Sequence, residues 1–101
     1  ILFFSYSGST KDMCDTLNIA SQRGVPVILI THFPKSAGAE FATVVLQCGC
    51  NESPLQSGSV AAKVGQLFII YCLFYGFCCQ KPEIRSAARS ATAQAITNKL
   101  L

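Results

Sequence analysis

The sequence predicts a three-layer α/β/α sandwich built on a parallel sheet. Three observations predict it. Short apolar runs at Ile1–Phe4, Val27–Thr31 and Thr43–Leu46 show no polar alternation, the pattern of strands covered on both faces. Segments with helical spacing or helix-start signals separate these runs by short links, which is the order of right-handed βαβ units. The stretches after the runs, Ser5–Thr10, His32–Ser36 and Gln47–Glu52, fall at the carboxyl ends of the strands, where such sheets bind ligands.

Taken in order, the first strand covers Ile1–Ser5. A helix follows over Thr10–Arg23, because Met13, Leu17 and Ala20 recur at i, i+4 and i+7 on one face. Gly24 stands where a helix C-terminal cap belongs. The second strand is Val27–Thr31, bounded by Pro26 and His32. Pro34 turns the chain, and Ser36 reads as the N-cap of a short helix to Ala42. The third strand is Thr43–Leu46. Gly49–Pro54 is a loop by composition. A long helix then runs from Leu55 or Ser57 to Gln80. Its second half is apolar on every side, from Leu67 through Phe77, so it is expected to be buried, with a partner subunit or further chain completing the burial. Pro82 ends it. Glu83–Leu101 forms a last amphipathic helix with Ile84, Ala87, Ala88, Ala91, Ala95 and Ile96 on one face.

The bulk numbers bound the function. The chain of 101 residues is one domain at most. It begins at Ile1, inside a strand and without a methionine, so a piece of a longer protein is expected. Half the residues are hydrophobic and 13% are charged, with a net charge of +3. Lys and Arg are scattered, which gives no nucleic-acid footprint. The longest apolar run, Leu67–Cys79, is shorter than the roughly 18 residues of a membrane span, so no membrane partner is expected. The six cysteines contain no C-x-x-C pair and several lie in apolar segments. They read as reduced thiols of a cytoplasmic protein, with no metal site and no cofactor.

The chemistry concentrates in Ser5-Tyr6-Ser7-Gly8-Ser9-Thr10-Lys11. The first N–H groups of a helix lack partners, and its dipole places partial positive charge there. Three serines and a threonine add donors that rotate to suit an acceptor. Such a turn suits an anion, phosphate above all. The plainer reading is a capping box, with Ser9 as N-cap and Asp12 three residues on. It accounts for one hydroxyl and leaves Ser5, Ser7 and Thr10 over. Lys11 reads as a solvated lysine or an outer phosphate partner, His32 as an exposed loop histidine, and Tyr6 as packing beside the turn.

These residues resemble the S-x-S-G-x-T signature of the SIS (sugar isomerase) phosphosugar-binding domain. Gly24–Thr31 is similar to the second strand of that family, and Ser36–Leu46 to its serine, short helix and strand. Asn51-Glu52-Ser53-Pro54-Leu55-Gln56-Ser57-Gly58-Ser59 resembles a segment of the C-terminal domain of RpiR-family transcriptional regulators. The resemblance covers nearly the whole chain. It implies a partial SIS domain over residues 1–101, lacking its first strand–helix unit and the N-terminal helix-turn-helix domain through which DNA would be bound. It implies a sugar phosphate as ligand, held by Ser5, Ser7 and Thr10 with the backbone N–H groups of Gly8 and Ser9, and Glu52 at the sugar end. It also implies an effector domain acting as a homodimer or larger oligomer. The runner-up is an aldose–ketose phosphate isomerase of the same family, with Glu52 and His32 as the available proton-transfer groups. Ser9 and Gln56 depart from the pattern, since relatives carry Glu or Arg at the first and Arg at the second.

Overall fold

The computed structural model describes residues 1–49 and 60–99. The elements are β1 (Leu2–Phe4), α1 (Lys11–Gln22), β2 (Ile28–Thr31), a 3-10 helix (Ala37–Phe41), β3 (Val44–Gln47), α2 (Val60–Gln80) and α3 (Pro82–Thr97). The strands form one parallel sheet in the order β1-β2-β3. Phe3 pairs with Leu29, and Leu29 with Val45, so β2 is the middle strand. The architecture is the expected α/β one. Two compact units divide the described chain, Ile1–Ile69 and Ile70–Leu101.

In the first unit, α1 and the 3-10 helix follow successive strands of a parallel sheet and pack on each other. Met13, Leu17 and Ala20 of α1 meet Val27 and Leu29 in the core, with Phe3, Cys14, Ala39, Phe41 and Ala42 around them. Successive strand residues face opposite sides, so Ile30 points away from Leu29. It too is fully buried, and β2 is therefore shielded from water on both faces. The first turns of α2 contribute the buried Ala62. A Cβ built on Gly65 would stand 3.0 Å from Cys48 Sγ, just beyond β3.

The helix ends follow from local chemistry. Gly24 has φ +68°, a backbone shape open to glycine. Its N–H donates to Ser21 O and that of Val25 to Ala20 O, at 3.0 and 2.9 Å, which is the Schellman arrangement. At the other end of α1 the expectation was wrong. Thr10, with extended dihedrals, is the N-cap, and no side chain caps the helix. Ser9 lies one residue before that cap, and its hydroxyl donates back to Ser7 O at 3.2 Å. Likewise Ser36 stands at the N-cap position of the 3-10 helix but makes no capping bond.

In the second unit, the apolar half of α2 leads to Lys81 and then Pro82 at the first turn of α3. Proline is tolerated there because its missing N–H would have no intrahelical partner. Tyr71 and Tyr75 stack at 5.7 Å. Phe74, Phe77, Cys78, Ile84, Ala88 and Ile96 line a groove of about 390 Å³. The described residues do not by themselves bury α2, for which a partner subunit or further chain is expected: Phe68 is 67% and Phe74 61% exposed. Over its full 21 residues, α2 is long and apolar enough to cross a membrane by length and composition.

Candidate functional site

The site grows from the end of β1. Ser5 N–H still bonds Ile30 O at 3.0 Å, as a continuation of the ladder. Tyr6 then leaves the sheet, and its carbonyl accepts from His32 N–H at 3.1 Å and Thr31 Oγ1 at 3.0 Å. Gly8 turns the chain at φ +63°, and its carbonyl accepts from Gly38 N–H at 2.8 Å. The turn between β1 and α1 is thus tied to β2 on one side and to the 3-10 helix on the other.

Its hydroxyls and amides satisfy one another. Gly8 N–H donates to Ser5 Oγ at 3.1 Å, and Ser9 N–H to Ser7 Oγ at 3.3 Å. The Gly8 and Ser9 amides, expected to face a phosphate, are here held by neighbouring serines. Both bonds are local, and the second is long for an N–H···O bond. Thr10 is exposed and makes no capping bond. The start of α1 therefore has no side chain competing for its N–H groups at that position.

Ser7 and Ser9 line a cleft of about 570 Å³, faced by Phe33, Pro34, Lys35 and Ser36 from the connection after β2. No carboxylate lines it among the described residues, and Lys35 is a cation at its wall. The cleft lies outside the carboxyl ends of parallel strands, as the topology requires. Serine hydroxyls and a lysine on one concave surface suit an anion.

Of the expected site residues, the structure brings Ser7 and Ser9 onto the cleft and places Gly8 behind them. Ser5 acts within the turn, and Thr10 stands at the helix start. Glu52 and the whole Asn51–Ser59 segment lie outside the described residues. His32, expected to be exposed, is buried. Its ring stacks on Tyr6 at 5.1 Å with planes 3° apart and meets Phe33 edge-on at 4.9 Å. Its Nδ1 lies 3.3 Å from Cys48 O. Packing against Tyr6 explains the difference, and Tyr6 itself sits beside the turn as expected. Phe33, Pro34 and Lys35 were not singled out from sequence. The one available signal was their position just past the second strand.

The comparisons with known proteins bear on this geometry. Residues 1–75 match the SIS domain family. An uncharacterized HTH-type transcriptional regulator of Haemophilus influenzae is 33% identical over 70 residues, 69% of this chain and 24% of that protein. The uncharacterized HTH-type regulator YbbH of Bacillus subtilis is 28% identical over 97 residues, 95% of this chain and 34% of that protein. The HTH-type regulator RpiR of Escherichia coli is 28% identical over 74 residues, 73% of this chain and 25% of that protein. Among solved structures, the Vibrio vulnificus NanR protein complexed with ManNAc-6P superposes with a TM-score of 0.82 at 30% identity, covering 95% of this chain and 37% of that one. The chain thus spans about a quarter to a third of the length of these regulators. On the match over residues 1–75, together with the parallel sheet and its serine-rich first turn, the chain belongs to the SIS domain family.

Proposed function

We propose that this chain is the phosphosugar-sensing part of an RpiR-type transcriptional regulator, with the phosphate held at the Ser5–Thr10 turn. The observation that carries the proposal is the cleft itself, with Ser7 and Ser9 facing Lys35 beyond the carboxyl end of β1. The likeness to a NanR structure that holds ManNAc-6P supports a phosphorylated sugar as the ligand class. The relatives named as HTH-type regulators support a sensor in preference to an isomerase. In this reading the phosphate oxygens replace Ser7 Oγ and Ser5 Oγ as acceptors for the Ser9 and Gly8 amides. The freed hydroxyls then donate to the same oxygens. Glu52 would stand at the sugar end. DNA would be reached through a helix-turn-helix domain elsewhere in the protein, in the cytoplasm and from a homodimer or larger oligomer.

Calorimetry on the complete protein with hexose and amino-sugar phosphates tests this. Ser7→Ala and Thr10→Ala should each weaken binding about tenfold to a hundredfold, the range of a hydrogen bond to a charged group. Melting temperatures should hardly change, since both residues are exposed. Equal affinity in parent and variants would remove the phosphate from this turn. Conversion of an aldose phosphate to its ketose in the same samples would establish the isomerase instead.

A further inference from the structure

We propose that Ser36 is a further ligand-binding residue, its hydroxyl bonding a phosphate oxygen from the wall opposite Ser7 and Ser9. This rests on the reading of the cleft as a sugar-phosphate site. Among the described residues, Ser36 Oγ is the one buried side-chain oxygen or nitrogen with no hydrogen-bond partner. The residue is 9% exposed and lines the cleft. Buried hydroxyls are nearly always paired, because an unmade bond costs the full desolvation of the group. An unpaired one at the wall of a cleft is a donor that a ligand would complete.

The surroundings explain why the hydroxyl has no partner. The Ser36 backbone is already engaged: its N–H donates to Phe33 O at 3.0 Å, and its carbonyl accepts from Ala39 N–H at 3.0 Å. Thr31 Oγ1, on the same side of Gly8, donates to Tyr6 O and accepts from Phe33 N–H. Ser36 Oγ is left against Gly8, in the space a Cβ there would fill. The backbone bonds hold the residue in place, and its side chain turns about χ1 between staggered wells. One rotation about χ1 takes the oxygen away from Gly8. The ligand then gains a bond that the unliganded protein does not make, which is the differential interaction that binding requires. Phosphate is the partner that the neighbourhood favours. Lys35 adjoins Ser36, two serines face it, and no carboxylate lines the cleft among the described residues.

The test is calorimetry and thermal melting of the complete protein, with inorganic phosphate and a panel of hexose and N-acetylhexosamine 6-phosphates. Ser36→Ala should bind every phosphorylated probe about tenfold more weakly, and its unliganded melting temperature should stay level or rise. A structural serine behaves the other way: melting falls and affinity holds, and that result overturns the inference. Weakening with the sugar phosphates alone, inorganic phosphate being unaffected, also overturns the phosphate contact. Ser36→Cys keeps the shape with a poor donor and should follow Ser36→Ala, which covers a failure of the alanine variant to fold. If the parent binds and Ser7→Ala weakens it while both Ser36 variants match the parent, only this inference fails. If the parent binds none of the probes, the reading of the cleft fails, and this inference with it.

Discussion

Gly8 is where the turn is least tolerant of change. Its φ of +63° lies in the region that costs a side-chain-bearing residue about 1–2 kcal/mol. A Cβ there would also stand 2.7 Å from Ser36 Cβ and 2.9 Å from Thr31 Oγ1. Overpacking of that kind costs about 1–3 kcal/mol more. Gly24 shares the backbone shape, at +68°, but has nothing within 4 Å of the same point. We therefore expect Gly8→Ala to lose about 2–5 kcal/mol in urea denaturation and Gly24→Ala only about 1–2 kcal/mol. Equal losses in the two variants would show that the space filled by Ser36 is not tight. At this scale the sequence was only partly legible. Four hydroxyls around a glycine mark a turn that favours anions, but which hydroxyl bonds which amide depends on competition over one or two residues. Ser9 reads from sequence as the N-cap or as an amide donor to phosphate, and its hydroxyl instead donates to Ser7 O.

At the scale of the elements, helix spacing was a dependable guide. The α1 face inferred from Met13, Leu17 and Ala20 is the face that is buried. Leu17 is fully enclosed, so Leu17→Ala should cost about 2–5 kcal/mol. Ile19, 53% exposed on the same helix, should cost less than about 0.5 kcal/mol when changed to alanine. Parallel denaturation curves of the two variants check the pair, and similar midpoints would contradict the packing of α1 on β2. The strand runs were equally legible: they carry no polar alternation, and the middle one is buried on both faces. The cleft wall was legible only as a stretch, His32–Ser36 at the end of the second strand. That Phe33, Pro34 and Lys35 are the residues facing Ser7 and Ser9 follows only when β2 settles beside β1, a relation between segments that no local pattern encodes. His32 was misjudged for the same reason, since its burial comes from the Tyr6 ring.

For the whole molecule, the informative feature is what α2 leaves uncovered. Phe68, Tyr71, Phe74 and Phe77 are all exposed, and contiguous apolar surface of this kind marks an interaction face. The composition showed that the helix would be avoided by water but not what would cover it. We expect the 101-residue chain to sediment as an assembly, and Phe68→Asp combined with Phe74→Asp to return it toward the monomer mass. A parent that sediments as a monomer would mean that the face is not used between copies. The turn carries a consequence of a different kind. Because the Gly8 carbonyl is bonded by the amide of Gly38, the Gly38 proton shares any change in that carbonyl's orientation or polarity. Gly38 does not line the cleft, so its nuclear resonance is a natural reporter for an arriving anion, readable in an isotope-labelled sample with no dye or tag.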